Sequence, residues 1–319
     1  MQKYIRTDKL YHHPDRLLNY RNGKIVYPVT VEIHLTNRCN LNCYYCSFSD
    51  RDKALEMSYD DAMACVTEIS MLGVKGITFS GGGEPTVHKD YIKVIAHAKD
   101  LGLDVGLITN GVKLDCRVLN YLTWIRFSVD AADPIIYKKI KGVDSFDKVI
   151  ANIENAVNYR NKNVLDTTIG FQAVVTDDNI DKLNTIASMA DDMGVDYFQY
   201  RPIEKGSNVA KPILGYKYNL KVIDSWYKWE EIEQADRYTD CPGADFIGAV
   251  GADMNFYICC HHVGDKTASY GHILKDDILA NRLKIQEEFD YSKCPIACRG
   301  SVINKRLSHY NDIEHVNFL

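Results

Sequence analysis

The stretch "TNRCNLNCYYCSF", Thr36 to Phe48, places three cysteines in a single loop, Cys39, Cys43 and Cys46, with C-x3-C-x2-C spacing. A cubane [4Fe–4S] cluster usually takes four thiolates, one per iron. Three thiolates leave one iron without a protein ligand. An open coordination position marks a metal that does chemistry rather than one that only holds a fold together, as zinc sites also illustrate. A small chelating molecule can then occupy the open iron. Structural zinc more often uses two C-x2-C-like pairs. A zinc site completed from elsewhere, or three solvated loop thiols, are the alternatives that the triplet alone leaves open.

A second group lies near the C-terminus. Five of the ten cysteines fall between Cys241 and Cys298. Cys241, Cys259, Cys294 and Cys298 supply four thiolates, enough to close a second cluster, with zinc as the other metal such a set accepts. Cys260 is then left over, directly after a candidate ligand. It reads either as a small buried hydrophobe or as a thiol poised beside the cluster. His261 and His262 follow and read as polar loop residues. Cys65 and Cys116 sit on helical stretches and read as core. His34, Asp130, Gln172 and Arg201 lie on or at the ends of apolar strands, where a side chain can face a cavity.

The elements that must position these groups alternate. Strands are expected at Val29–Thr36, Gly76–Ser80, Asp104–Asn110, Trp124–Asp130, Thr167–Val175 and Asp196–Pro202. Helical periodicity fills the gaps, as in "YDDAMACVTEISMLG". Six strands alternating with helices imply a parallel sheet with crossover helices, and such repeats can close into barrels with chemistry on the loops after the strands. The cysteine loop does follow a strand. The expected fold is therefore α/β, a partial (β/α)6 barrel over residues 29–203 with a small C-terminal auxiliary domain over 241–319. Residues 1–28 read as an N-terminal extension and 204–240 as a linker and helix, with "LKVIDSWYKWEEIEQADRY" taken as that helix.

Composition narrows the class. The 319-residue chain has formal net charge −5, with 46% hydrophobic and 25% charged residues. That is ordinary for a soluble globular protein and disfavours a generic nucleic-acid binder. The N-terminus lacks the apolar core of a signal peptide, and no apolar run reaches the length of a membrane span. A cytoplasmic, reducing location is expected, where many cysteines mean metal or redox chemistry more than disulfides.

C-x3-C-x-aromatic-C after the first strand of such a barrel resembles the radical S-adenosylmethionine (SAM) superfamily. "FSGGGEP", Phe79 to Pro85, follows the second strand and resembles that family's GGEP motif. Weaker signals come in the same order: "TNG" at Thr109–Gly111, "FSVD" at Phe127–Asp130 and "KKIKG" at Lys138–Gly142, where Lys141 stands in place of the arginine common in relatives. The resemblance implies that Cys39, Cys43 and Cys46 bind a [4Fe–4S] cluster and that SAM's amino and carboxylate groups complete it. It implies Tyr45 beside the adenine, Gly82, Gly83 and Glu84 at the amino group, and Ser128 and Asn110 at the ribose or carboxylate. Lys141 would be a further SAM contact, as a point charge without the bidentate fork of arginine.

The C-terminal cysteines resemble the SPASM/Twitch extensions of the same family, with Met254 where relatives carry a hairpin glycine. The resemblance implies an auxiliary [4Fe–4S] cluster on Cys241, Cys259, Cys294 and Cys298. "CPG…YxCC" also resembles radical SAM epimerases that use the cysteine after an auxiliary ligand as hydrogen-atom donor, the role this implies for Cys260. The expected activity is reductive cleavage of SAM and abstraction of a substrate hydrogen atom. Oxidation through the auxiliary cluster or epimerisation through Cys260 would follow. A non-catalytic metal-binding protein would not need the GGEP loop. Expected partners are an electron donor such as flavodoxin or ferredoxin and a small molecule or leaderless peptide, because 28 residues cannot hold a separate peptide-recognition domain.

Overall fold

A computed structural model describes residues 7–203, 211–212, 214–215, 218–225, 239–295, 298 and 300–311. Six parallel strands appear where the alternation requires them: β1 (Thr30–His34), β2 (Gly76–Ser80), β3 (Asp104–Thr109), β4 (Trp124–Ser128), β5 (Thr168–Val175) and β6 (Tyr197–Pro202). They pair in chain order, parallel throughout. The connecting helices are α2 (Tyr59–Met71), α3 (Tyr91–Asp100), α4 (Pro134–Lys141), α5 (Phe146–Lys162) and α6 (Leu183–Asp192), after an N-terminal α1 (Pro14–Arg21). Between β3 and β4 the connection is a 3-10 helix, Cys116–Tyr121. Cys65 is fully buried in α2 and Cys116 is half-buried, as expected of core residues.

Period-2 geometry divides each strand between two environments. Ile33, Phe79, Leu107, Ile125, Phe127, Phe171 and Phe198 are fully buried. Their alternates Ser80, Ile108, Arg126, Ser128 and Gln172 line a cavity. At its base, Gly106 lies under the ring of Trp124, which a Cβ would meet at 2.2 Å, and Gly170 under Tyr197, at 2.1 Å. Both positions need glycine because aromatic rings already fill the space.

The sheet does not stop at six strands. β7 (Lys221–Asp224) pairs parallel to β6, and β8 (Ile247–Val250) pairs parallel to β1. β9 (Asn255–Tyr257) and β10 (Ser269–His272) extend it antiparallel, giving the order β10-β9-β8-β1-β2-β3-β4-β5-β6-β7. The C-terminal region is joined to the barrel edge by backbone hydrogen bonds. One expectation changes: the start of the expected helix at 220–238 is strand, because Val222 and Ile223 meet the open edge of β6; residues 226–238 lie outside the described residues. The β8–β9 hairpin turns through Met254 at φ +66°, a left-handed conformation that favours glycine.

Helices α7 (Ile278–Glu288) and α8 (Ser301–Asn311) complete the described chain. Leu17 of α1 and Val26 meet Phe246 and Leu307 in a small second core. Arg282 of α7 bonds both Val26 O and Asp245. The N-terminal extension is thereby tied to the C-terminal region. No helix among the described residues is long and apolar enough to cross a membrane.

The packing of Gly106 gives a first prediction. Gly106→Ala will force the Trp124 ring aside and cost about 1–3 kcal/mol, the usual penalty for overpacking. Urea unfolding will show a lower midpoint at unchanged slope.

Candidate active site

The cavity opens at the C-terminal ends of the barrel strands. Cys39, Cys43, Cys46, Tyr45, Gly83, Glu84, Asn110, Ser128 and Lys141 all border it. The sequence-predicted first group is thus brought together, with one difference. Gly82 is turned toward Asn37 and Arg51, where a Cβ would meet Asn37 Oδ1 at 2.2 Å, and Gly81 borders the cavity instead.

The cysteine loop is held from two sides. On one, Gly83 N–H donates to Thr36 O at 3.0 Å and Glu84 N–H to Arg38 O at 2.8 Å. A Cβ on Gly83 would come within 2.0 Å of Arg38 O. The glycine turn therefore packs backbone to backbone under the loop. On the other side, Asn42 N–H donates to Lys141 O at 2.9 Å and Tyr44 N–H to Ile140 O at 3.3 Å. Gly142, at φ +72°, ends α4 there and leaves no room for a side chain against Asn42.

Glu84 is a hub. Its carboxylate accepts from Thr86 N–H (3.1 Å), the Thr86 hydroxyl (2.7 Å), the Thr109 hydroxyl (2.6 Å) and Asn110 N–H (2.7 Å). Burial nonetheless pushes its pKa up, against those donors. Asn110 in turn donates to Asn40 Oδ1 at 2.7 Å and faces Cys39 Sγ at 3.8 Å. Lys141, 1% exposed, pairs with Asp130 at 2.7 Å and reaches the Tyr45 hydroxyl at 3.0 Å and Ser128 Oγ at 3.3 Å. Tyr45 also bonds Asp130. Burial alone would lower the Lys141 pKa, but Asp130 outweighs it and holds the ammonium well above the ordinary lysine range.

Burial keeps the thiols neutral when no metal is bound. Burial pushes Cys39 up and Cys43 to about 11. Thiols kept neutral this way are ionised when a metal takes the proton's place. In the C-terminal group burial likewise raises Cys241 and Cys259, and takes Cys294 to about 12. Gly300 separates two of these sulfurs: a Cβ there would lie 3.5 Å from Cys241 Sγ and 3.6 Å from Cys298 Sγ. Asn304 Nδ2 donates to Cys241 Sγ at 3.5 Å, and His262 Nε2 lies 3.4 Å from Cys294 Sγ. Among the described residues no three His, Cys, Asp or Glu side chains converge as one metal ion would need. A cubane instead gives each cysteine its own iron.

Cys260 and His261 line the first cavity, not the second group of cysteines alone. Sequence reasoning left His261 as a loop residue and passed over Glu32, Arg126 and Arg51. Glu32 and Arg126 sit at alternating positions of apolar strands, the pattern that could have found them. Arg51 lies in a loop, where no periodicity points to it. Its guanidinium stacks 4.0 Å over Phe48 and donates to His34 Nδ1 at 3.0 Å. Arginine offers only donors, so His34 accepts there and its Nε2–H donates to Glu32 at 3.0 Å.

A family model described as "Radical SAM superfamily" matches residues 33–184. This stretch is a radical SAM domain, and it carries the end of β1, the cysteine loop, the glycine turn and strands β2 to β5. The chain is similar to a probable GTP 3',8-cyclase of Sulfurisphaera tokodaii, 28% identical over 65% of this chain and 64% of that protein. It is similar to the mycofactocin maturase MftC of Mycolicibacterium smegmatis, 26% identical over 73% of this chain and 59% of that protein. The chain thus spans under two thirds of the length of both. In fold it resembles Streptococcus suis SuiB bound to S-adenosylmethionine, with TM-score 0.65 at 15% identity over 87% of this chain and 72% of that one. It also resembles anSMEcpe with bound AdoMet, with TM-score 0.57 at 18% identity over 83% and 81%.

The buried pair gives the second prediction. Lys141→Met will leave Asp130 charged and unpaired in the interior, at a cost of about 3–5 kcal/mol in urea unfolding. Because the folded pKa of Lys141 is raised, its stabilisation is complete below the unfolded lysine value. It is lost only as pH climbs through the folded value. The difference between wild type and variant will therefore stay constant from neutral pH to the ordinary lysine range.

Proposed function

We propose that this cavity performs hydrogen-atom abstraction on a small polar substrate and that Cys260 returns a hydrogen atom, so that the product is an epimer. In this reading Cys39, Cys43 and Cys46 hold the first cluster. Tyr45, Gly81, Gly83, Glu84, Asn110, Ser128 and Lys141 surround SAM, with Gly82 behind them against Asn37. Cys241, Cys259, Cys294 and Cys298 hold an auxiliary cluster. When bound, the first cluster and SAM supply a 5'-deoxyadenosyl radical that takes a hydrogen atom from a substrate carbon.

The observation that carries the reading is the place of Cys260. It is next in sequence to an auxiliary ligand, 7% exposed, and it borders the cavity of the cysteine loop. A thiol there can break its S–H bond and form a C–H bond on the face opposite the one that lost hydrogen. The sulfur radical left behind regains its thiol with one electron and one proton. Flavodoxin or ferredoxin is the class of donor that supplies the electron.

A second reading rests on the four grouped thiols of the C-terminal region. An auxiliary cluster held by those thiols would accept one electron from the substrate radical while a base takes the proton, and the substrate would leave oxidised or cross-linked. Glu32, which borders the cavity, is placed to take that proton. Relatives and fold neighbours span a GTP 3',8-cyclase and a SuiB bound to precursor peptide SuiA. A nucleotide-like molecule and a short peptide are the two substrate classes this reading takes in.

The test is anaerobic. The reconstituted chain should hold about eight irons, and together Cys39→Ala, Cys43→Ala and Cys46→Ala should reduce this to about four. Deoxyadenosine formation from SAM and dithionite should cease with it; unchanged iron would end the assignment. During turnover in D2O, the epimer should carry one solvent deuterium at the inverted carbon. Cys260→Ala should still form deoxyadenosine yet yield no epimer. Full product from that variant would pass the advantage to the oxidative reading.

A further inference from the structure

The C-terminal thiols are close neighbours. Burial raises Cys294, and Cys241 and Cys298 nearby raise it further; Cys259 is raised by burial and then by Cys260, Cys241 and Cys298. Two buried side chains that carry N–H groups reach into this set. Asn304 of α8 brings Nδ2 to 3.5 Å from Cys241 Sγ, and His262 brings Nε2 to 3.4 Å from Cys294 Sγ. Both are held in place without help from sulfur. A backbone N–H can only donate, and that of Gly243 meets Asn304 Oδ1 at 2.6 Å. The amide is thereby oriented, with Oδ1 toward Gly243 and Nδ2 toward Cys241. Asn304 N–H itself donates to Gly300 O at 2.8 Å. His262 N–H donates to Cys259 O at 3.2 Å, and its ring meets Phe289 edge-on with centroids 4.8 Å apart.

A cysteine that binds iron is a thiolate and has no proton to donate. The contact between Cys294 and His262 then needs the hydrogen on Nε2, because a bare imidazole nitrogen would turn its lone pair toward a negative sulfur. With the thiol protonated, the same contact can run in either direction. Metal loading therefore sets the sense of both contacts: nitrogen donates and sulfur accepts. Hydrogen bonds to the sulfurs are among the factors that set the reduction potential of an iron–sulfur cluster. They favour the state with more negative charge, which is the reduced one.

We propose that His262 and Asn304 donate hydrogen bonds to the Cys294 and Cys241 thiolates and so raise the reduction potential of the auxiliary cluster. This deepens the proposed function and rests on its reading that Cys241, Cys259, Cys294 and Cys298 hold that cluster. Neither residue is a ligand; each acts through a sulfur. With these donors in place the cluster takes up an electron more readily than the same four thiolates would without them.

The full chain carrying Cys39→Ala, Cys43→Ala and Cys46→Ala isolates the auxiliary cluster, whose midpoint potential is read by electron paramagnetic resonance in an anaerobic redox titration. In that background His262→Phe keeps a ring against Phe289 and removes the N–H, and Asn304→Leu removes the amide at similar volume. Each should lower the potential. Combined, they should lower the reduction equilibrium constant at least tenfold, which is about 59 mV for a one-electron couple. His262→Gln, which keeps an amide donor, should lower it less than His262→Phe. Iron and sulfide counts show whether each variant loads its cluster; where one does not, the other and His262→Gln decide. An unchanged or raised potential at about four irons would overturn the inference and leave the cluster standing. A background protein that holds zinc or no metal would end the cluster reading and the inference with it.

Discussion

The ion pair between Lys141 and Asp130 connects the three stretches of chain on which the cavity depends. Asp130 follows β4 and also accepts from Val174 N–H of β5 at 2.9 Å. Lys141 is the last residue of α4, and its carbonyl receives Asn42 of the cysteine loop. Tyr45, within that loop, meets both charged groups. Desolvating two charges is expensive, and a buried pair is often no better than well-packed apolar side chains. Its value here lies in geometry. One ammonium, fixed by one carboxylate, sets the distance between a strand end, a helix end and the loop that holds three thiols.

The opposite side of the loop is fixed without charge. Gly83 and Glu84 donate backbone N–H groups to Thr36 and Arg38, and Gly83 approaches so closely that no Cβ fits. The Glu84 side chain then reaches the end of β3 through Thr109 and Asn110. A glycine turn read as a cradle for a ligand is thus also a packing surface for the loop beside it. Both demands exclude side chains. The proposed SAM contact of Gly83 and its structural contact are compatible, because one lies on the cavity face and the other beneath.

Much of this was legible. All six barrel strands follow from alternation of apolar residues, and the triplet and GGEP carry the family. The Met254 turn was legible as a departure: a methionine at a glycine position, now seen at φ +66°. Three features escaped. β7 reads as helix because Leu220 to Asp224 suits either period over so short a run, and only the open edge of β6 decides it. The roles of Arg126 and Glu32 escaped because they are far apart in sequence and border one cavity only in the folded chain. The union of the two chain ends, Leu17 and Val26 with Phe246 and Leu307, has no local signature at all.

The extension of the sheet past β1 explains why Cys260 belongs to two settings. β8 pairs with β1 and β9 with β8, so the hairpin carrying Cys259 and Cys260 is fixed to the barrel's first strand, the strand that leads into the cysteine loop. Cys259 is extended at φ −160° and Cys260 starts a short 3-10 turn. Consecutive side chains in extended backbone point to opposite sides. Burial, with Cys260, Cys241 and Cys298 nearby, raises the Cys259 pKa, while Cys260 borders the cavity. Backbone geometry thereby lets two adjacent thiols face different surroundings. A small C-terminal domain tethered by a flexible linker could not hold that division. A hairpin hydrogen-bonded through β8 to β1 can.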